Sequence, residues 1–184
     1  KFQGSFGQET CSFCAKGQFA EAAGRSTCTN CPPGRLNTDG TAAVTLCTAC
    51  GRGYYHVALG ETATCDKCPQ GRFTNEEGTV TCSQCPEGRY QDVEGETACK
   101  LCESGKFQPD REKAECVVCG KGKYTDIKGA TECSLCPPGR FRDASVTAAV
   151  SECTLCPAGK FQGSFGQETC SFCAKGQFAE AAGR

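Results

Sequence analysis

The stretch CPEGRYQDVEGETACKLC, residues 85–102, decides the fold, because variants of it recur along the whole chain. It starts as Cys-Pro-x-Gly, continues with a basic residue and an aromatic, and ends in a C-x-x-C pair. Pro after the cysteine and Gly three positions past it suit a type I turn, and Gly88 would also tolerate a positive φ. Gly95, five residues beyond the aromatic, marks a second reversal. The stretch predicts a small irregular hairpin that returns the chain to the next cysteine.

Ten C-x-x-C pairs divide the chain into such repeats. Successive second cysteines are 17 to 20 residues apart, and the nine steps total 159 residues. No window keeps an apolar face at 3.6-residue spacing for three turns, so we expect very little helix. The pairs are Cys11/Cys14, Cys28/Cys31, Cys47/Cys50, Cys65/Cys68, Cys82/Cys85, Cys99/Cys102, Cys116/Cys119, Cys133/Cys136, Cys153/Cys156 and Cys170/Cys173.

A larger period is superimposed on the small one. Residues 1–25 return without a mismatch as residues 160–184, an offset of 159 residues, whereas the nine small repeats all differ from one another. Repetition therefore exists at two levels. We expect residues 1–184 to form one continuous cysteine-rich array, with nine repeats per period, and to be a window on a longer array.

The composition indicates a disulfide scaffold outside the cytosol. Leu, Ile, Val and Phe make up 26 of 184 residues, too few for a conventional core, and Cys makes up 20. The net charge is −1, which argues against disorder. Paired cysteines at this density require an oxidising compartment, so we expect an extracellular or cell-surface location. The predicted fold class is small, disulfide-rich and irregular or all-β, a tandem solenoid of C-x-x-C-bounded hairpins.

One aromatic per repeat is the most regular side chain after cysteine. Burying one ring contributes about 1.5 to 3 kcal/mol. Ordering a repeat costs more, so covalent closure and contact between neighbouring repeats must supply the balance. The positions are Phe2, Phe19, Tyr55, Phe73, Tyr90, Phe107, Tyr124, Phe141, Phe161 and Phe178, with Leu36 as the one substitute.

Three cysteine pairings are available: within each C-x-x-C, between like positions of adjacent repeats, or from each second cysteine to the first cysteine of the next pair. Nine repeats per period is an odd number, which disfavours like-with-like pairing and also zinc sites that use two pairs. Chained pairing fits any number of repeats, and each closure would contribute about 3 kcal/mol. It leaves Cys11 and Cys173 for neighbouring repeats. The chained bonds are Cys14–Cys28, Cys31–Cys47, Cys50–Cys65, Cys68–Cys82, Cys85–Cys99, Cys102–Cys116, Cys119–Cys133, Cys136–Cys153 and Cys156–Cys170.

The C-P-x-G-[KR]-[FY]…C-x-x-C rhythm resembles the ephrin-receptor-like cysteine-rich repeat over the entire chain. One such loop is also similar to the first loop of a tumour necrosis factor receptor module, whose two bounding cysteines are bonded to each other, and this resemblance supports chained pairing. Leu36 departs from the pattern, and the second glycine is missing after Phe107 and Phe141. Tracts of similar repeats occur in algal flagellar-hair (mastigoneme) proteins.

Several kinds of chemistry are not expected. His56 is the single histidine, so we interpret it as a surface or packing residue rather than a catalytic base. Ten equivalent C-x-x-C pairs in loops do not fit a thiol oxidoreductase, and Glu76 with Glu77 lacks the spacing of a calcium loop. We predict no enzyme activity, cofactor or metal. The balanced charge argues against nucleic-acid binding, and no apolar run is long enough to cross a membrane.

The residue before the second cysteine of each pair changes character along the chain. It is large and apolar in five successive repeats, whereas Lys67 and Gln84 hold it in earlier ones. We predict that the apolar copies form a lateral contact, buried against another chain or a turn of the same chain, and that Lys67 and Gln84 face solvent. The predicted contact residues are Leu101, Val118, Leu135, Leu155 and Phe172.

The period indicates a structural role. We predict a subunit of an extracellular filament or a cell-surface, flagellar-hair-like fibre that self-assembles with identical repeats or chains, because equivalent places in a fibre require equivalent segments. The alternative is a receptor-type ectodomain whose repeats space or present a protein-binding site. O-linked glycans are a further expectation, on hydroxyls of the two long repeats such as Thr41, Thr45, Ser145 and Thr147.

Overall fold

The computed structural model describes residues 10–57, 64–143, 150–180 and 182–183. The chain divides into two compact units, Lys1–Gln84 with Val93–Ala98, and Cys85–Asp92 with Cys99–Arg184. Both are built from small antiparallel hairpins, and the described ranges contain no helix. The fold is a small disulfide-rich all-β repeat array, which confirms the predicted fold class.

Each hairpin consists of two strands of two residues. The strands are this short because a repeat contains only about seventeen residues and must hold two chain reversals. In most hairpins the first strand carries the basic residue and the aromatic, and in all of them the second strand ends one residue before the second cysteine. The pairs are β1 Gln18–Phe19 with β2 Thr29–Asn30, β3 Arg35–Leu36 with β4 Thr48–Ala49, β5 Tyr54–Tyr55 with β6 Asp66–Lys67, β7 Arg72–Phe73 with β8 Ser83–Gln84, β9 Arg89–Tyr90 with β10 Lys100–Leu101, β11 Lys106–Phe107 with β12 Val117–Val118, β13 Lys123–Tyr124 with β14 Ser134–Leu135, β15 Arg140–Phe141 with β16 Thr154–Leu155, and β17 Lys160–Phe161 with β18 Ser171–Phe172.

The tight turn of each hairpin lies one residue later than the type I turn expected from the sequence. Arg89 N donates to Pro86 O at 3.1 Å, so Pro86 opens the turn and Gly88 is its third residue. The φ of Gly88 is +74°, which is the conformation that a type II turn requires at this place. Glycine is therefore needed here for its positive φ.

Nine disulfides close the hairpins in tandem. Each joins the second cysteine of one pair to the first cysteine of the next across 14 to 17 residues of sequence, with Cα atoms 5.7–5.8 Å apart. They follow the chained pattern from Cys14–Cys28 to Cys156–Cys170. Each closure restricts the unfolded chain and stabilises the fold by about 3 kcal/mol in the loop-entropy account.

The interior consists of half-cystines and of the residue that follows each aromatic. Most rings are only half-buried, so a repeat gains less from its aromatic than the burial of a whole ring would contribute. Phe19 is the buried exception, and Leu36 is buried too. Eight residues at the position after the aromatic are buried although most are polar, whereas Gln162 and Ala179 at the same position are half-buried. The buried ones are Ala20, Asn37, His56, Thr74, Gln91, Gln108, Thr125 and Arg142.

These buried polar side chains are held by backbone groups. Gln108 Nε2 donates to Glu115 O at 2.7 Å, while its Oε1 accepts from Asp110 N at 3.1 Å. Arg142 Nη1 donates to Lys123 O at 2.6 Å. Among the described residues, every buried side-chain nitrogen and oxygen has a hydrogen-bond partner. A polar interior of this kind is tolerated because its hydrogen bonds are satisfied.

Backbone hydrogen bonds join each hairpin to the next one. Gly88 N donates to Gln108 O at 2.8 Å, and Gln91 N donates to Lys113 O at 3.1 Å. The equivalent bonds within the first unit include Gly34 N to His56 O at 2.8 Å. Since these bonds involve main-chain atoms, they do not depend on the side chains of a repeat. Neighbouring hairpins can therefore differ in sequence and still pack in the same way.

Within both units, a closer approach joins several hairpins to the next but one. A Cβ placed on Gly88 would collide with the carbonyl of Gly129, two hairpins further along, and one placed on Gly34 would collide with the carbonyl of Gly78. The first and second glycines of the repeat thus meet backbone to backbone. Glycine recurs at these two positions for two reasons: an added side chain would collide there, and the backbone has a positive φ.

Candidate assembly surface

The predicted contact residues occupy one equivalent place in the hairpin. Each ends the second strand, directly before a half-cystine or, for Phe172, before the unbonded Cys173. Each pairs across the hairpin with a basic residue: Leu101 with Arg89, Val118 with Lys106, Leu135 with Lys123, Leu155 with Arg140, and Phe172 with Lys160. The surface therefore sets large apolar side chains beside cationic ones.

Three of these apolar side chains, all leucines, lie over glycines two repeats further along the chain. A Cβ added to Gly129 would come within 2.6 Å of Leu101 Cδ2, and one added to Gly166 within 2.9 Å of Leu135 Cδ2. Leu155 and Gly183 repeat the arrangement at 2.6 Å. Leu101, Gly129, Leu135 and Gly166 thus form a row within the second unit. We call this row the leucine–glycine row.

The chain itself does not bury these side chains. Leu101, Leu135 and Leu155 are between 42% and 50% exposed, Phe172 is 76% exposed, and Val118 is half-buried. Lys67 and Gln84 are exposed, as expected. The described hairpins therefore leave the three leucines and Phe172 open, and the lateral contact stays a prediction. Each leucine rests on a glycine, which has no side chain to cover it.

Charges flank the apolar positions without forming a reactive centre. Lys100 Nζ lies 2.6 Å from Asp92 Oδ1, and this hydrogen bond holds the pKa of Asp92 below its ordinary value. Lys160 Nζ lies 4.4 Å from the centroid of the Phe172 ring, within the range of a cation–π contact. Elsewhere, hydrogen bonds from the side chain and backbone of Thr41 lower the pKa of Asp39, and burial lowers that of Arg142.

The other residues considered as catalytic or metal-binding candidates either pack in the interior or do not lie together in a site. His56 is buried, and its backbone carbonyl and amide bond to Gly34 and Thr79, so it is a packing residue. Glu76 and Glu77 are exposed. Throughout the part of the chain that the structure describes, no three His, Cys, Asp or Glu side chains gather as metal ligands. No helix in that part has the length and apolarity needed to cross a bilayer.

Two cysteines are unbonded, Cys11 and Cys173, the two that chained pairing leaves over. Cys11 is exposed and Cys173 is half-buried. Thr41 and Thr45, named for glycans, are exposed, whereas Ser145 and Thr147 lie outside the described residues.

Sequence reasoning did not identify the residue after the aromatic as the buried one. Its polar character conceals it, because Asn, His, Thr, Gln and Arg are ordinarily surface residues. The available signal was its fixed place: in every described repeat it follows the aromatic and is never acidic.

A family model described as tyrosine-protein kinase ephrin type A/B receptor-like matches five tandem segments, residues 2–46, 38–81, 75–112, 105–153 and 144–183. The chain belongs to this ephrin-receptor-like family. The matches cover nearly the whole chain and confirm the resemblance drawn from the C-P-x-G rhythm. None of the curated proteins compared with the chain matches it.

The ephrin-receptor-like match and the nine disulfides together indicate an extracellular or cell-surface protein with a structural or ectodomain role. Disulfide-rich repeat modules of this family are typically non-catalytic. Each matched segment contains two C-x-x-C pairs, so the family's own repeat corresponds to two hairpins. That size agrees with the contacts between each hairpin and the next but one.

Proposed function

We propose that the protein is a structural subunit of an extracellular filament or of a hair-like fibre on a cell surface, and that it has no enzymatic activity. The observation that carries the proposal is the way hairpins join: each is closed covalently and bonded through its backbone to the next. An array held by main-chain bonds does not depend on the side chains of any one repeat, so repeats of different sequence can follow one another. The mismatch-free 159-residue period supports the same role, because equivalent places in a fibre need equivalent segments.

Lateral association between chains is the second part of this proposal. The leucine–glycine row, together with Val118, Leu155 and Phe172, is the proposed contact, and its occupant is an identical chain. The neighbouring cations Arg89, Lys106 and Lys123 would pair with acidic residues of the other chain. Such a surface combines apolar burial with charge pairing, which sets the register of two chains.

The alternative role is a receptor-type ectodomain that spaces or presents a binding site. The family match supports this general kind of role, since the family description names a receptor. A binding site would single out one repeat. The described hairpins instead share one architecture, a pair of two-residue strands closed by a disulfide between successive C-x-x-C pairs.

Negative-stain microscopy of the purified native protein tests the proposal directly. We expect filaments, with disulfides linked in the chained order when their peptides are mapped without reduction. Discrete, monodisperse particles that bind a soluble protein partner would overturn the structural role and favour the ectodomain. O-linked sugar on Thr41 or Thr45 would be read from the same peptide maps.

A further inference from the structure

A hydroxyl residue recurs directly after the first cysteine of the C-x-x-C pairs. Seven of the ten pairs carry Ser or Thr at this place, although these two residues make up only 28 of the 184 positions in the chain. The repeat therefore favours a hydroxyl here. The exceptions are Asp66, Lys100 and Val117, and the hydroxyl residues are Ser12, Thr29, Thr48, Ser83, Ser134, Thr154 and Ser171.

These hydroxyls face solvent. Ser83, Ser134 and Thr154 begin the second strands β8, β14 and β16, and all three are exposed. Among the described residues, the hydroxyl groups of Ser83 and Ser134 make no hydrogen bond to the protein. Hydroxyls that stabilise the fold behave differently, since Thr79 Oγ1 donates to Tyr54 O at 3.2 Å. The recurrence of the hydroxyl after the first cysteine is therefore not explained by the fold alone.

Each of these strand hydroxyls lies directly across its hairpin from the aromatic position. Residues opposite one another in an antiparallel pair have their side chains on the same face, with Cβ atoms about 4.5–5.5 Å apart. Phe73, Tyr124 and Phe141 are half-buried, so part of each ring is open beside a short hydroxyl side chain. The pairs are Phe73–Ser83, Tyr124–Ser134, Phe141–Thr154 and Phe161–Ser171.

A longer side chain at the same place contacts the ring. Lys100 replaces the hydroxyl in its hairpin and lies opposite Tyr90. Its Nζ is 5.9 Å from the centroid of the Tyr90 ring, within the range of a cation–π contact. This hairpin shows that a group extending from the place of the hydroxyl can lie over the aromatic ring.

Two hydroxyls of the first unit lie opposite a buried residue instead. Thr29 is opposite Phe19, which is 9% exposed, and Thr48 is opposite Leu36, which is 7% exposed. A group attached to either hydroxyl would find no open ring. The described hairpins that combine an exposed hydroxyl with an open ring are therefore those of Ser83, Ser134, Thr154 and Ser171.

We propose that these four hydroxyls are acceptors for O-linked sugars, and that each sugar packs on the aromatic ring across its hairpin. One face of a sugar ring consists of C–H groups, which can pack on an aromatic ring while the sugar's own hydroxyls stay in water. The contact would remove the open part of the ring from water. The inference goes beyond the proposed structural role, and the sites are distinct from the hydroxyls of the long loops.

The sugars would lie on the opposite face of each hairpin from the proposed lateral contact. Successive residues of a strand point to opposite faces, so the side chains of Ser134 and Leu135 point away from each other. A sugar on Ser134 would therefore leave the leucine–glycine row open to another chain. Modification and lateral association are compatible, and each can be tested without the other.

The attachment step balances with a nucleotide-activated sugar as the donor. The bond between the sugar's C1 and the donor's diphosphate breaks, and the serine or threonine Oγ forms a bond to C1. The hydroxyl proton is released together with the nucleoside diphosphate. No electrons are transferred, and the step requires a glycosyltransferase that acts before the protein reaches its extracellular location.

Peptide mapping of the purified native protein locates the sugars, with electron-transfer fragmentation to keep them attached. We expect sugar on Ser83, Ser134 and Thr154. Thr81 and Thr131 are the matched controls, because they are exposed hydroxyls of the same repeats outside the paired strands, and we expect no sugar on them. Strand hydroxyls that are unmodified, that carry phosphate, or that are modified no more than the controls would overturn the inference.

Iodination of tyrosine tests whether the sugar covers the ring. Tyr124 lies opposite Ser134, while the control Tyr90 is also half-buried but lies opposite Lys100. In Ser134→Ala, made by the cells that secrete the native protein, Tyr124 should be iodinated about 2- to 5-fold faster, since a ring contact of about 0.5–1 kcal/mol protects by that factor. The rate at Tyr90 should not change. An unchanged rate at Tyr124, after loss of the sugar from Ser134, would overturn the packing of sugar on ring.

Discussion

Glu112 occupies a place that glycine fills in six other hairpins. It lies five residues after Phe107, where the sequence appeared to lack its second glycine, and its φ is +59°. Its amide donates to Cys85 O at 2.9 Å, as Gly129 N does to Cys102 O at 2.7 Å. The backbone bond therefore imposes the left-handed conformation on a residue that disfavours it.

Replacing Glu112 by glycine should raise the free energy of unfolding by about 0.5 to 1 kcal/mol, because the relief of left-handed strain exceeds the added flexibility of the unfolded chain. Thermal unfolding by circular dichroism measures the change. Glu115→Gly is the control, since Glu115 is exposed and has no positive φ, and it should lower stability. An equal loss in both variants would contradict the strain at Glu112.

Alanine substitutions at three glycines can distinguish the cost of a positive φ from the cost of a steric collision. Gly120 has neither a positive φ nor a neighbour within 4 Å of an added Cβ, Gly159 has the positive φ alone, and Gly88 has both. Alanine at Gly120 should lower the free energy of unfolding by less than about 0.5 kcal/mol, and alanine at Gly159 by about 1 kcal/mol. At Gly88 the loss should exceed about 3 kcal/mol. Chemical unfolding of the three variants tests the order. Equal costs at Gly159 and Gly88 would mean that Gly88 and Gly129 do not touch.

At the scale of the hairpin, the interior is stabilised by hydrogen bonds as well as by apolar burial. Gln108 shows this, because its amide group joins Glu115 O and Asp110 N across the loop. Gln108→Leu would bury more apolar area but leave both backbone groups without their partner. Leaving such groups unsatisfied costs about 1–3 kcal/mol.

We therefore expect Gln108→Leu to lower the midpoint of thermal unfolding, while Gln84→Leu, at an exposed position, should leave it nearly unchanged. Faster hydrogen exchange at Asp110 in the first variant would locate the damage. A stabilised Gln108→Leu protein would mean that apolar burial alone governs the interior.

The hairpin itself was predictable from sequence, and its interior was not. Cysteine spacing and the two glycines give the closures and the reversals, because covalent geometry and positive φ leave few alternatives. The inward direction of Asn37 and Arg142 depends on backbone acceptors that the preceding hairpin supplies, which no single repeat displays. The sequence predicted the turn at Gly88 one residue too early. Pro suits the second position of a type I turn as readily as the first position of the observed turn, so the sequence does not distinguish the two.

At the scale of the whole molecule, lateral association is the property to test. Leu135→Asp should leave all nine disulfides intact, because Leu135 is half exposed and lies on a glycine. It should block lateral assembly by placing a charge in an apolar contact. Non-reduced peptide mapping checks the disulfides, and sedimentation velocity checks the assembly.

Gln84→Asp is the matched control, since Gln84 holds the same place in its hairpin and is exposed. It should assemble normally. If Leu135→Asp assembles as well as Gln84→Asp, the contact lies elsewhere and the apolar positions are not its basis. The proposed contact positions were identifiable from sequence as apolar, but the exposure of the leucines was not, because the glycine beneath each leucine belongs to a hairpin two repeats away.

Within each compact unit, glycine contacts join hairpins that lie two repeats apart in sequence. Gly34 meets Gly78 in the first unit, and Gly88 meets Gly129 in the second. A side chain added at one of these positions would therefore push on a second hairpin as well as on its own. A single substitution of this kind should loosen the chain at two separate places in the sequence.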